Sequence, residues 1–229
     1  MNKHVQEFIL INGYGVPMDI FKDDHYRHYL NTIFNTIYEA SVRHNLEPVI
    51  IFSGGKTDMF KPYRRTEANE MAKYFKALAR RPCVIKTTKS WKYELESKSL
   101  SSLENILFAR ELLKKKYPKI KSGRLVFEST RSRRIRTVAK RIFAHFSDLN
   151  FMPIEFDISI NRYDLDLVDA KEAYGLKLDL WGLKNANNLK LHHDLFTAKI
   201  RDLRQAGPEH HQEAIHKWWQ KSLQIITKA

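Results

Sequence analysis

Apolar residues in this chain fall into short runs separated by longer amphipathic stretches. Phe8-Ile9-Leu10-Ile11 runs into Asn12-Gly13-Tyr14-Gly15, the pattern of a buried strand that ends in a sharp turn. Tyr26, Leu30, Ile33, Phe34, Ile37 and Ser41 then recur at helical spacing, with Asp23 or Asp24 placed to cap the first turn. Val49-Ile50-Ile51-Phe52, closed by Ser53-Gly54-Gly55, predicts a second strand, followed by a helix that begins near Thr66. Cys83-Val84-Ile85 is read as a third strand. The stretch from Ser101 to about Tyr117 reads as a helix with Leu103, Ile106, Leu107, Arg110 and Leu113 along one side.

Leu125-Val126-Phe127 predicts a fourth strand. It leads through Glu128-Ser129-Thr130 into a helix carrying Ile135, Val138, Ala139, Ile142, Phe143 and Phe146 on one stripe. Pro153-Ile154-Glu155-Phe156-Asp157-Ile158 is the fifth strand candidate. Strands that alternate with helices at this spacing require a parallel sheet, because each helix must carry the chain back to the same edge. The expected fold is therefore α/β: a Rossmann-like three-layer αβα sandwich with a mainly parallel sheet of about five strands. Past residue 160 the pattern is helical, with one helix expected to end at Gly175 and another before Gly207-Pro208. A last helix places Ile215, Trp218, Trp219, Leu223 and Ile226 on one face. The expected organisation is an α/β domain over 1–160 and a helical extension over 161–229, packed on the core through that face.

Composition narrows the setting. Hydrophobic residues make up 43% and charged residues 29% of the 229 positions, the balance of a folded globular chain. No apolar run approaches the roughly 20 residues of a membrane span, and the first residues lack the apolar stretch of a secretory signal. A cytoplasmic protein without a transmembrane segment is expected. The single cysteine, Cys83, falls in the predicted third strand, which implies a buried, inert thiol. His192-His193, His210-His211 and His216 have no spacing that closes a metal site. They read as solvated histidines, so no metal is expected.

In open parallel sheets, ligands bind beyond the carboxyl ends of the strands, where the strand order reverses. Four loops matter on that rule: 12–15, 53–58, 96–105 and 128–134. Gly13, Gly54 and Gly55 let a backbone approach a ligand closely and offer amides for an anion-binding concavity. Ser101-x-x-Glu104 is a capping box, and Asn105 follows it within the first helical turn.

These residues resemble a known family. Its pattern couples a strand ending Ser-Gly-Gly to a Ser/Thr-Glu-Ala helix start, and then to Glu-x-x-Ser-x-Ser/Thr-Thr-x-Glu-Asn. This chain has Ser53-Gly54-Gly55, Thr66-Glu67-Ala68, and then Glu96, Ser99, Ser101, Ser102, Glu104 and Asn105. It is identified as resembling the YdcF-like family (the SanA/ElyC group) over residues 8–158, as a divergent member with a helical extension. The fourth loop departs from the family's Thr-Ser-x-x-His-x-x-Arg-Ala: Ser129 and Arg134 align across a one-residue gap, and the histidine has no counterpart.

The resemblance implies a Rossmann-like fold with a polar cleft, and no single established reaction. One branch looks able to bind S-adenosylmethionine, which makes that compound a candidate cofactor. The envelope role of membrane-anchored members is not carried over. The expected site has Glu67 and Glu104 as candidate acid/base groups. Asn12, Gly13, Gly54, Gly55, Ser99, Ser101, Ser102, Asn105, Ser129 and Arg134 are the expected ligand-binding residues. Such an array suits a small anionic or zwitterionic ligand: nucleotide-like, S-adenosylmethionine or a phosphorylated compound.

The formal charge of +14 supports a rival reading, a basic nucleic-acid-binding module working through Arg131, Arg133, Arg134, Arg136, Lys140 and Arg141. Against that reading, the same helix carries an ordinary apolar stripe.

Overall fold

In the computed structural model, which describes residues 6–155 and 165–227, the expected alternation of strands and helices is realised. The order is β1 (Phe8–Asn12), α1 (Asp24–His44), β2 (Val49–Ser53), α2 (Glu67–Ala79), the short α3 (Ile85–Thr88), β3 (Lys92–Glu96) and α4 (Ser102–Lys116). There follow β4 (Ser122–Glu128), α5 (Ser132–Ile142), β5 (Asp148–Ile154), and the helices α6 (Leu165–Gly182), α7 (Ala186–Ala206) and α8 (His211–Thr227). The five strands are all parallel, in the order β3-β2-β1-β4-β5. The chain divides into two compact units, residues 1–156 and 157–229. The expected boundary at residue 160 lies outside the described residues.

Local chemistry explains where the helices start. Asp23 accepts the Tyr26 amide at 2.9 Å, Thr66 the Asn69 amide at 3.2 Å and Ser101 the Glu104 amide at 3.2 Å, so each satisfies a donor that the first helical turn leaves open.

The central strand β1 is buried along its whole length. Ile9 and Ile11, with Ile50, Phe52 and Val126, face the apolar stripes of α1 and α2. Phe8 points to the opposite face, where it stacks on Phe143 with ring centroids 5.2 Å apart. Gly123 makes that stacking possible, because a Cβ there would lie 2.2 Å from the Phe8 ring.

Three expectations change in the α/β unit. The third strand is Lys92–Glu96, not Cys83–Ile85: residues 81–88 close helical turns, with the Ile85 amide on the Arg81 carbonyl and the Thr88 amide on that of Val84. Cys83 is exposed. The true β3 lies at the sheet edge and carries alternating charges, so it lacks the apolar run that marks a buried strand. Nearby Trp91, buried and donating to Ser41 Oγ at 3.1 Å, ties the start of β3 to α1. The fifth strand is Asp148–Ile154, starting five residues before the Pro153 read from sequence, and residues 156–158 of that reading lie outside the described residues. Pro153 is tolerated in it because β5 is the other edge strand, with one side needing no ladder donor.

In the helical unit, α6 runs through Gly175 to Gly182, whereas α7 stops at Ala206 before Gly207 (φ 75°), as expected. The α8 stripe is narrower than the sequence suggests. Ile215, Trp218 and Ser222 are buried, Trp219 is half-buried and Leu223 is 45% exposed. Trp218 donates its indole N–H to the Leu195 carbonyl at 2.8 Å and packs edge-on against Phe196. The histidines also divide. His210 and His216 are exposed, but His192 is fully buried 3.2 Å from Asp179, and His211 is buried against the Leu203 carbonyl. Burial of this pair of histidines follows from the α6–α7 and α7–α8 packing, which local periodicity does not encode.

Gly123→Ala is expected to destabilise the protein by about 1–3 kcal/mol through overpacking against Phe8. Combining it with Phe8→Leu should recover part of that loss in urea unfolding; a simple sum of two independent losses would show that the ring is not what the glycine accommodates.

Candidate functional site

With all strands parallel, Asn12, Ser53, Glu96, Glu128 and Ile154 end on one edge of the sheet. Strands β2 and β3 lie to one side of β1, and β4 and β5 to the other, so the order reverses between β1 and β4. The crevice at a switch point of this kind is where such sheets receive ligands.

The loops after β1 and β2 close around Glu67, the first residue of α2. A Cβ on Gly13 would lie 1.9 Å from Glu67 Oε2, and one on Gly54 would lie 2.5 Å from Glu67 Cβ. Gly54 also has φ 153°, a backbone conformation that other residues rarely adopt. The Thr57 hydroxyl and the Gly15 amide donate to the Glu67 carboxyl. Burial pushes its pKa up; the Thr57 hydroxyl, the Arg131 charge and the Gly15 amide pull it down without cancelling the rise. Glu67 therefore keeps its proton to higher pH than an ordinary carboxyl.

The glycine amides do not form the expected anion-binding concavity. Gly13 donates to the Ser53 carbonyl at 2.9 Å, Gly54 to the Glu96 carbonyl at 3.0 Å and Gly55 to the Ser99 carbonyl at 2.7 Å. All three are engaged in stitching neighbouring loops together. Gly55 is needed for that approach, since a Cβ there would lie 2.2 Å from the Ser99 oxygen.

The serine-rich stretch after β3 is organised by Glu96. Its buried carboxylate accepts the Ser53 hydroxyl at 2.7 Å, the Lys98 amide at 2.7 Å, the Ser99 amide at 3.1 Å and, at shorter range, the Ser99 hydroxyl. Ser101 caps α4, and Glu104 reaches back to the Leu100 amide at 2.6 Å. Ser102 and Asn105 are also buried on the first turn of α4. Their side chains have no hydrogen-bond partner among the described residues. The Asn105 carbonyl accepts from Ser53 Oγ at 3.2 Å, which sets this turn over the end of β2.

Asn12 lies in register with Ser53, and Ser53 with Glu96, so their side chains share the α4 face of the sheet. Asn12 donates to the Val126 carbonyl at 3.2 Å, across the β1–β4 switch point. Its Oδ1 is buried and has no hydrogen-bond partner among the described residues.

Beyond β4, Glu128 caps a 3₁₀ turn over Ser129–Arg131. It accepts the Thr130 amide at 2.9 Å and the hydroxyls of Thr130 and Ser129. Arg131 then bridges the crevice: its guanidinium carbon lies 4.4 Å from the Tyr14 ring centroid, and Nη1 is 3.4 Å from the Gly13 carbonyl. Tyr14 is fixed in turn by Tyr26, whose hydroxyl accepts the Tyr14 amide at 2.6 Å and donates to the Gly15 carbonyl at 2.5 Å. Burial raises the pKa of both Tyr26 and Tyr29, which keeps their hydroxyls protonated donors. Arg134 is buried on the first turn of α5.

No protein-family model, curated protein or solved structure matches this chain. The site therefore rests on its own geometry. Among the described residues, no three His, Cys, Asp or Glu side chains are grouped to hold a metal ion. The structure gathers Asn12, Gly13, Gly54 and Glu67 at the β1 and β2 tips. Gly55, Ser99, Ser101 and Glu104 serve the neighbouring hinge, with Ser102 and Asn105 beside them, and Ser129 and Arg134 follow β4.

Sequence reasoning did not single out Tyr14, Tyr26, Thr57, Asp58 or Arg65 as site residues, and it named Arg131 only in the rival nucleic-acid reading. Tyr14 had a signal, an aromatic ring between two glycines directly after a strand. Arg131 was hidden in a run of arginines whose orientation only the fold sets. Asp58 and Arg65 form the staple of the two loops: Arg65 bonds Asp58 through Nε at 3.1 Å and Nη2 at 2.9 Å, and donates Nη1 to the Pro17 and Met18 carbonyls at 2.8 and 2.9 Å.

Two expectations follow. Glu67→Gln should fold, and the stability of the wild type relative to it should fall as pH rises above 4.5, the ordinary value. A proton held in the folded state contributes fully below 4.5 and is lost through the raised pKa. A difference in unfolding free energy that stays flat from acid to neutral pH would contradict a raised pKa for the buried carboxyl. For Asp58, burial raises the pKa, but the Arg65 bonds and the Phe60 amide outweigh it and hold the carboxyl below its ordinary 3.8. Arg65→Ala should therefore cost on the order of 3 kcal/mol near neutral pH. The deficit should narrow as pH falls below 3.8, measured by denaturant unfolding across that range.

Proposed function

We propose that this chain is a YdcF-like protein that binds a small anionic or zwitterionic molecule in the crevice between the ends of β1 and β4. The observation that carries the reading is Asn12 Oδ1, a buried acceptor without a donor among the described residues, at the point where the strand order reverses. A buried acceptor left open costs roughly 1–3 kcal/mol, so a ligand that brings an N–H or O–H to it regains that loss on binding. Asn105 and Ser102, on the same face, add hydrogen-bonding groups that the protein does not itself engage. Arg131, held over Tyr14 at the crevice, supplies positive charge for a carboxylate or phosphate, and Arg134 lies one turn further on. The Ser53-Gly54-Gly55 and Glu96-to-Asn105 motifs support the family reading.

A donor next to an anion describes nucleotide-like compounds, S-adenosylmethionine and phosphorylated small molecules. The reading is one of binding. Glu104 caps a helix, and Glu67 is enclosed by Thr57, Gly13 and Gly54, so both carboxyls have structural work in the loops.

A thermal-shift series with S-adenosylmethionine, nucleotides and sugar phosphates tests the proposal on the wild type, Asn105→Ala and Arg131→Ala. A ligand at about a hundred times its Kd should raise the wild-type Tm by about 5–10 °C, and the two variants should lose most of that rise. The proposal fails if none of the three classes stabilises the wild type, or if both variants respond as the wild type does.

A further inference from the structure

The loops after β1 and β2 carry a second feature that the ligand crevice does not use. Met18 is 74% exposed and Phe21 is 41% exposed, both on the β1–α1 loop, whereas the core side chains around them are almost wholly enclosed. Phe21 packs in part on Tyr74, with ring centroids 5.4 Å apart, so the exposed apolar surface here is Met18 and the remainder of the Phe21 side chain. Lys22 next to Phe21 in the chain, Lys73 on α2, and Lys61 and Arg64 on the β2–α2 loop are all exposed. Lys73 Nζ lies 5.3 Å from the Phe21 ring centroid, which places positive charge directly against the apolar side chain.

Most of the neighbouring acids are engaged with groups outside this set, and one, Asp19, meets Lys22. Asp58 is bonded to Arg65, Asp23 caps α1 and Asp24 pairs with Arg27 at 2.9 Å. Asp19 accepts the Phe21 amide at 2.9 Å and lies 4.0 Å from Lys22, and Glu70 lies 4.0 Å from Arg65. The patch is also preformed. Arg65 holds the Pro17 and Met18 carbonyls while bonded to Asp58, so the two loops present their tips as one surface.

From this we infer that the tips of the β1–α1 and β2–α2 loops dock on an anionic lipid surface, with Met18 and Phe21 entering the interface and the surrounding cations meeting lipid headgroups. Charge complementarity selects the occupant. A nucleic-acid backbone would match the cations but offers no apolar layer to Met18 and Phe21, and a neutral bilayer would match the side chains but not the charge. An interface with anionic headgroups satisfies both. The inference stands independently of the ligand proposed for the crevice.

Co-sedimentation of the full chain with phosphatidylcholine vesicles, with and without about 30% phosphatidylserine, tests it. The wild type is expected to bind the anionic vesicles at low salt, to bind neutral vesicles far less, and to dissociate as salt is raised. Lys22→Gln/Lys61→Gln/Arg64→Gln should weaken binding on the order of a hundredfold, at about fivefold per cation. Met18→Ser/Phe21→Ser should weaken it by about tenfold or more at unchanged charge. Circular dichroism and urea unfolding establish that both variants fold. The inference is overturned if the wild type ignores anionic vesicles at low salt, or binds neutral ones equally well. It is also overturned if the folded Met18/Phe21 variant binds as the wild type does, since the surface would then be a general polyanion binder.

Discussion

The crevice of this protein depends on a carboxyl that faces no solvent. Glu67 opens α2 with its side chain under Gly13 and Gly54, so that one residue sets how closely the ends of β1 and β2 can approach each other. The arrangement works because neither glycine has a Cβ, and because burial raises the pKa of the carboxyl, which favours its neutral form between the two backbones. With Glu67 in place, Gly15 and Thr57 are drawn to it, Tyr14 is presented to Arg131, and the switch point between β1 and β4 acquires its wall.

Most of the polar groups around this wall are satisfied internally. Glu96 gathers Ser53, Lys98 and Ser99; Ser101 and Glu104 close the start of α4; Glu128 closes the turn before α5. Networks of this kind rigidify loops, because every donor removed from water has found an acceptor. Against that background the groups without a hydrogen-bond partner among the described residues stand out: Asn12 Oδ1, and the side chains of Ser102 and Asn105. A motif rich in hydroxyls and carboxylates thus turns out to be largely scaffold, with its ligand-facing share reduced to a few atoms.

The positive charge is handled in a comparable way. Arg131 lies over Tyr14, Arg136 over Phe151 at 4.9 Å, Lys121 over Phe146 at 5.7 Å and Lys199 over Trp218 at 4.7 Å. Laying cations on aromatic faces uses their charge locally. On α5 it leaves Arg133, Lys140 and Arg141 exposed opposite the buried Ile135, Val138 and Ile142. The large formal charge is therefore distributed among local contacts and exposed helix surface.

The amino-acid sequence by itself determined the alternation of buried strands and amphipathic helices, and hence the parallel sheet, because side-chain periodicity and crossover geometry are local or nearly local properties. It also marked the capping box at Ser101 and offered Asp23 or Asp24 for the start of α1, of which the structure uses Asp23, since a cap needs only a side chain that reaches an amide three residues away. The loops after β1, β2 and β4 were legible for the same reason, whereas 96–105 was marked by its capping box and serine-rich motif. Tertiary structure alone decided the rest. Edge strand β3 carries charges and is held by pairing with β2, so no apolar run announces it. Whether a glycine amide faces a ligand or a neighbouring carbonyl depends on residues some forty positions away, as with Gly13 and Ser53 or Gly54 and Glu96. The burial of His192 against Asp179 depends likewise on helix packing. Long-range hydrogen bonding and packing, absent from any window of sequence, therefore turned the glycine loops from the expected anion cradle into the seam that holds Glu67.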